Sequence, residues 1–213
     1  MIENNIHQIW VGNKRIPSHI KKHMNDVKEY HKDFNYYFWD DDNLPELPEN
    51  LKDIYNNYEQ PAIKADLLRM YIVYKFGGIY LDADFKTING LYSISYKECD
   101  GFISYNNSYG MSALANSIFG FKKNNPILQY MIDNITKKNQ WIGPNWWSQI
   151  ICKYLELNCD KSTIEELKGK AKNINLQIVN WQDIEESCFE HEALASWIKG
   201  SIWNEKLKSG NYD

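Results

Sequence analysis

The stretch from Pro61 to Lys86, PAIKADLLRMYIVYKFGGIYLDADFK, limits the folds open to this chain more than any other. Ile63, Leu67, Met70, Tyr71 and Tyr74 recur at helical spacing. Pro61 suits a first helical turn, because its missing N–H would find no partner there. Gly77 and Gly78 can take the left-handed conformation that ends a helix. Ile79, Tyr80 and Leu81 then form a short apolar run of the kind buried in a central strand. Helix, glycine turn and buried strand in succession predict an α/β domain. The strand carries Asp82 and Asp84 to its C-terminal end, where open α/β sheets bind ligands.

Asp82 and Asp84 flank the small Ala83. Carboxylates so close repel unless a cation or a shared proton intervenes, and oxygen ligands suit hard cations such as Mg²⁺ or Mn²⁺. A metal held there can bridge to a diphosphate and neutralise charge on a leaving group. Asp66 and Arg69 share a face of the preceding helix. The competing reading makes Asp66–Arg69 a surface ion pair and Asp82/Asp84 a solvated turn.

At 213 residues the chain can bury one sizeable core, and a single domain over 1–213 is expected. The net charge of −4 gives no electrostatic case for nucleic-acid binding. Met1–Asn5 is polar with no apolar run behind it, and no stretch reaches the length of a membrane span. Cys99, Cys152, Cys159 and Cys188 lack zinc-type spacing, so free thiols in a reducing cytoplasm are expected. Aromatics reach 15%, a surplus that suits stacking on bases or sugars as well as packing.

Ile6 to Gly12 (IHQIWVG) reads as a first strand running into a loop. There Trp10 offers a stacking face for a nucleobase, and the backbone of Ile9 and Val11 offers groups for the base edge. The alternative is a core Trp10 with a buried His7. Ser18 is a plausible cap for a helix to His31, and Asn50 for one to Tyr58. Strands are expected at Phe34–Trp39, Phe102–Ser104, Asn116–Phe121 and Leu176–Val179. Helices are expected from Pro126 to Lys138 and Trp146 to Leu155, with a surface helix or loop at Lys161–Lys172. Ile88 and Leu91 suggest an edge strand or turn, and Asp40-Asp41-Asp42 a solvated loop.

Three segments, IHQIWVG at 6–12, ADLLRMYIVYKFGGIYLDADF at 65–85 and HEALASW at 191–197, resemble metal-dependent glycosyltransferases of the GT-A fold. The group they resemble has a DXD-containing sugar-binding region. It takes in yeast initiation mannosyltransferases, bacterial capsule enzymes and, more distantly, clostridial toxin glucosyltransferase domains. Asn116 to Pro126 and Gly143-Pro144 are weaker likenesses. The resemblance implies a mixed, mostly parallel sheet flanked by helices, a UDP- or GDP-sugar donor and a hydroxyl acceptor on a glycan or other molecule. It implies Mn²⁺ or Mg²⁺ at Asp82 and Asp84, closed by His191 or Glu192. Relatives often carry a second His where Glu192 stands.

For the donor, the resemblance implies that Trp10 stacks on the base, with Ile9 and Val11 contacting it through backbone. Asp66 would bond ribose or sugar hydroxyls, Arg69 the sugar or phosphate, and Tyr80 would pack beside the ribose. Ala83 and Asn116 would face the donor, and Ser196 and Trp197 the diphosphate. Asp82, Asp84 and Arg69 form the implied catalytic set, and retention of anomeric configuration is implied. Acceptor contacts are expected in the loops at 106–110 and 140–147. Two rivals remain. One is a sugar-nucleotide-binding domain without turnover. The other is a haloacid-dehalogenase-type phosphatase, whose D-x-D-x-T motif IYLDADFKT imitates except that Lys86 stands at the Thr position.

Overall fold

The computed structural model describes residues 1–191 apart from 13, 95, 97, 107–113 and 140. Its centre is helix α3, Pro61–Phe76, buried from Leu67 through Val73 on every side. A helix apolar all round belongs inside a protein. It ends at Gly77, whose N–H donates to the Val73 carbonyl at 2.9 Å. Gly77 and Gly78 both have positive φ, +67° and +109°. A Cβ on Gly78 would meet the Asn5 carbonyl oxygen at 2.5 Å, so the turn into strand β3 (Gly78–Leu81) needs glycine for conformation and for space.

Around α3 the order is β1 (Asn5–Ile9), α1 (Ser18–Tyr30), β2 (Asn35–Trp39) and α2 (Glu49–Asn57). After β3 come β4 (Phe85–Thr87), β5 (Gly101–Tyr105), β6 (Leu114–Phe121), α4 (Pro126–Asn134), α5 (Pro144–Tyr154), α6 (Ile164–Asn173), β7 (Leu176–Asn180), α7 (Trp181–Ser187) and β8 (Phe189–His191). Six strands form one sheet in the order β2-β1-β3-β6-β5-β7. Only β6 runs against its neighbours. The mixed, mostly parallel sheet is thus as expected. From β1 the chain goes first to β2 on one side and then to β3 on the other, so the switch point lies between the ends of β1 and β3.

Successive residues of the central strands feed two cores, as the two-residue period of a strand requires. Ile79, Leu81, Phe102 and Ile118 enter one core, and Tyr80, Ile103 and Phe119 the other. The sheet is covered on both faces, which explains its unbroken apolar strands. β4 and β8 form a separate antiparallel ribbon with Phe85 opposite His191. The four cysteines form no disulfide. Among the described residues no helix is long and apolar enough to cross a membrane.

Several local expectations need correction. Ser18 caps nothing: Pro17 is the N-cap, and its carbonyl accepts from Lys21 N–H at 3.0 Å. Pro48 likewise displaces Asn50 as the cap of α2. Helix α4 stops at Asn134, because the Asn139 side chain accepts from Thr136 N–H at 2.7 Å and folds the chain into a turn. Of the edge strand or turn expected around Ile88 and Leu91, the structure has the turn, a 3₁₀ turn at Gly90–Ser93 with Leu91 N–H donating to His31 Nε2 at 2.9 Å.

His7 is a core residue. Its Nε2 lies 2.9 Å from the Gly77 carbonyl, which needs the proton on Nε2, while Trp39 Nε1–H donates to Nδ1 at 3.2 Å. A second ring proton would face a donor. Burial lowers the His7 pKa to about 4, against the raising effect of the Gly77 carbonyl. The unfolded chain therefore takes up a proton at His7 below pH 6.5 that the folded chain refuses until about pH 4. Stability is expected to fall as pH drops through that window, by about 3 kcal/mol from this group. Urea denaturation at several pH values checks it. His7→Gln should remove this part of the acid slope; His31, which burial also lowers, adds to the remainder, and Asp66, which burial lifts to about 6, opposes it.

Candidate active site

A cavity of about 380 Å³ opens at the switch point. One end is made by Ile9, Trp10, Val11 and the start of α3 at Pro61, Ala62 and Ala65. Its floor holds Asp66, Arg69, Tyr80 and Asp82-Ala83-Asp84. The far side is Ala115–Ser117 on β6, with Trp141, Pro144 and His191. Each described residue named above for donor or metal therefore borders one space. Glu192, Ser196 and Trp197 lie outside the described residues, as do 107–110 and 140 of the loops expected to meet the acceptor.

The floor is organised by Arg69. Its Nη1 lies 2.8 Å from the Asn116 carbonyl and 3.1 Å from Asp82 Oδ1. Its Nη2 reaches Asp66 Oδ1 at 3.3 Å, its Nε donates to the Ala65 carbonyl at 3.3 Å, and the guanidinium sits 4.6 Å over the Tyr80 ring. Asp66–Arg69 is thus a buried pair, both side chains 9% exposed, and no surface pair. Burial works against the Arg69 charge, but Asp82, Tyr80 and Asp66 more than offset it and hold its pKa above the ordinary value. Asn116 Nδ2 donates to Asp66 Oδ1 at 2.8 Å. Burial still lifts Asp66 to about 6, with Arg69 opposing.

Asp82 is pinned at both backbone and side chain. Its N–H donates to the Ser117 carbonyl at 2.8 Å, and its carbonyl accepts from Gln8 Nε2 at 3.1 Å. Tyr80 Oη donates to Asp82 Oδ1 at 2.5 Å. Burial raises the Asp82 pKa, with Arg69 opposing. The ribbon β4–β8 brings His191 in from the far end of the chain, its Nε2 3.4 Å from Asp84 Oδ1. One ligand atom from each of Asp82, Asp84 and His191 falls within 4.8 Å of the others. Burial opposes the His191 charge, but Asp84 outweighs it and raises the pKa. Two carboxylates and an imidazole suit a divalent cation.

Trp10 forms the opposite wall. Its indole N–H donates to the Lys14 carbonyl at 2.9 Å, and it packs on Ile20, Met24 and Ala83. The loop behind it is held by an unforeseen residue. Asp41 is not merely solvated: its Oδ2 accepts from Gly12 N–H at 2.7 Å. Gly12 has φ +92°, and a Cβ there would stand 2.7 Å from Pro61 Cγ. Sequence reasoning also missed Gln8, Ser117 and the ribbon. Gln8 and Ser117 meet the backbone of Asp82, the one through its side-chain amide and the other through its carbonyl, contacts set by strand order and not by any local pattern, and strands as short as β4 and β8 have no period to detect.

Residues 17–100 match the family described as "Glycosyltransferase sugar-binding region containing DXD motif". The chain carries that sugar-binding region. A glycosyltransferase of Acanthamoeba polyphaga mimivirus, L373, is 32% identical over 150 residues, covering 63% of this chain and 56% of its own. Inositol phosphoceramide mannosyltransferase 3 of Schizosaccharomyces pombe is 28% identical over 137 residues, covering 62% of this chain and 36% of its own. The chain thus spans about half, or less, of these relatives' length. The solved structure of the PaToxG glycosyltransferase shares the fold at a TM-score of 0.60 with 19% identity, over 80% of this chain and 84% of that one. The fold is GT-A, and Asp82-Ala83-Asp84 lies within the matched region. The phosphatase alternative falls with this match. Lys86, at the position of its Thr, is an exposed partner of Glu190 at 2.8 Å.

Arg69→Met should leave the buried Asp66 and the half-buried Asp82 without their cation and cost about 3 kcal/mol in denaturant unfolding. Arg69→Lys should recover only part of the loss, since a single ammonium cannot reach all four acceptors that the planar guanidinium fork engages.

Proposed function

We propose that this protein is a metal-dependent, retaining glycosyltransferase that moves a hexose from a UDP- or GDP-sugar to a hydroxyl of a glycan or another acceptor. The observation that carries the reading is the Asp82–Asp84–His191 cluster, set between the Trp10 wall and the buried Asp66–Arg69–Asn116 group in one cavity. The family match and the relatives' names support it. Trp10 stacks on the base, and the backbone of Ile9 and Val11 meets the base edge. Tyr80 packs beside the ribose, and Asp66 and Asn116 bond hydroxyls of the ribose or the transferred sugar.

Asp82, Asp84 and His191 would hold Mn²⁺, or Mg²⁺, with Glu192 as a further oxygen donor. A bound divalent ion supplies Lewis-acid neutralisation of the departing diphosphate. Arg69 keeps both Asp82 and Asp66 ionised and fixed, and so acts on the donor chiefly through them. Ser196 and Trp197 would contact the diphosphate. Retention through a covalent intermediate needs a free carboxylate at the anomeric carbon. Asp66 and Asp82 are engaged by Arg69, and Asp84 faces His191. We therefore assign attack from the face of the leaving group. The anomeric C–O bond to phosphate breaks, the acceptor oxygen bonds the same carbon, and the acceptor's proton passes to the leaving phosphate.

Thermal-shift measurements with UDP- and GDP-sugars plus Mn²⁺, followed by assay of released nucleoside diphosphate, test the reading. At least one donor is expected to raise the melting temperature only with metal present, and to be turned over. Asp84→Ala should abolish the metal-dependent shift; an unchanged shift would refute the metal assignment. Binding of donor without release of diphosphate would favour the binding domain without turnover.

A further inference from the structure

Strand β6 is irregular where it borders the cavity. Against β5 its pairing runs from Gly101↔Phe121 to Ile103↔Phe119 and then jumps to Ser104↔Ala115. Asn116, Ser117 and Ile118 fall in the jump, while on the other side Ile118 keeps its register with Leu81 of β3. The result is a bulge, a device that bends a strand and re-aims its side chains beside active sites. Ala115, Asn116 and Ser117, three in succession, all border the cavity.

The bulge supplies three of the bonds that set the floor of the site. The Asn116 carbonyl accepts from Arg69 Nη1 at 2.8 Å, and its Nδ2 donates to Asp66 Oδ1 at 2.8 Å. The Ser117 carbonyl accepts from Asp82 N–H at 2.8 Å. Successive carbonyls of a strand point to opposite edges, so with Ser117 turned to β3 the Ile118 carbonyl faces β5. In an unbroken ladder the Ser104 backbone would meet it there, but the jump has moved that backbone to Ala115. The Ser104 hydroxyl takes its place and donates to the Ile118 carbonyl at 3.3 Å. Ser104 is fully buried, where a hydroxyl is costly unless bonded. Packing alone does not call for a hydroxyl in such a place; the bulge does.

We propose that Ser104 is a positioning residue: its hydroxyl holds the bulge of β6 and so the aim of Asn116 at the hydroxyls of the transferred sugar. The proposal rests on the glycosyltransferase reading. Loss of the hydroxyl leaves the Ile118 carbonyl without its donor, two residues from Asn116, and lets the bulge relax. The Trp10 wall follows β1 and the carboxylates follow β3. Asp82 keeps Arg69, Tyr80 and Gln8 whatever Ser117 does. A bare nucleoside diphosphate therefore binds on elements that the change leaves in place, and only the sugar feels it.

Dissociation constants of the full chain with Mn²⁺ test this for UDP, GDP, UDP-glucose, UDP-galactose and GDP-mannose. Ser104→Ala is expected to weaken binding of the sugar nucleotide that wild-type protein holds best about fivefold, the worth of one hydrogen bond. Binding of its bare diphosphate should move by less than about twofold. Ser104→Thr, which keeps the hydroxyl, should restore the affinity. Ser104→Cys, close in size with a weaker donor, should show the alanine loss and stands in for it where alanine fails to fold. Asn116→Ala should show the same selective loss, and the double variant little more, because one residue acts through the other. Equal losses for sugar nucleotide and diphosphate would overturn the proposal, as would unchanged affinities or losses that add. Wild-type protein that binds a diphosphate and none of the three sugar nucleotides would overturn it too. Wild-type protein that binds none of the five ligands marks a different failure, that of the glycosyltransferase reading itself, and the proposal falls with it.

Discussion

The site depends on one buried guanidinium. Arg69 ties the side chain of Asp82 after β3 to the Asn116 backbone on β6 and to Asp66 and Ala65 on its own helix. Without a cation there, a buried Asp66 and a half-buried Asp82 could not both stay ionised side by side, because each ionised group taken out of water costs several kcal/mol after relaxation. The cation also sets orientation. With Tyr80 donating to the same oxygen, Asp82 Oδ1 is doubly engaged. Asp82 cannot rotate away without leaving a charge and a hydroxyl unpaired.

The middle of the molecule was legible in the sequence because local and tertiary demands agree there. Pro61 could only begin a helix, Gly77-Gly78 could only end one, and a run as apolar as Ile79-Tyr80-Leu81 had to be covered on both faces. Agreement across levels is what makes a pattern readable. The caps were misread for a related reason. Ser18 and Asn50 are good capping residues by type, but each stands inside a helix whose preceding proline already has the extended conformation of an N-cap, φ −57° and ψ 150° at Pro17. Proline lacks a cap side chain, so a search by residue type passes over it.

The walls of the site were legible only in part. Trp10 and Asp84 are signalled by residue type. Asp41 looked like one of three interchangeable acids in a loop, and only its 2.7 Å bond to Gly12 N–H distinguishes it. That bond arises because β2 lies parallel beside β1, so the loops after both strands emerge at the same edge. The backbone partners of Asp82, at Gln8 and Ser117, follow from the same strand order and from nothing local.

The cluster at the cavity is built unevenly, and the reason is architectural. Asp82 and Asp84 leave a strand in the middle of a six-stranded sheet. His191 stands on a two-stranded ribbon, a form with little stability of its own in water. What holds the imidazole is aromatic packing: it stacks on Phe85 at 4.5 Å and 16°, and meets Trp181 edge-on at 5.5 Å. Phe85 directly follows Asp84, so the ring that seats His191 belongs to the strand that begins where the DXD ends. The distance between Asp84 and His191 is thus set by one residue of chain and one stacked pair, although 107 positions (191 − 84) separate them in sequence. A side chain brought by packing can be displaced at less cost than one brought by the sheet. The Asp pair is therefore the fixed part of the cluster and His191 its adjustable part.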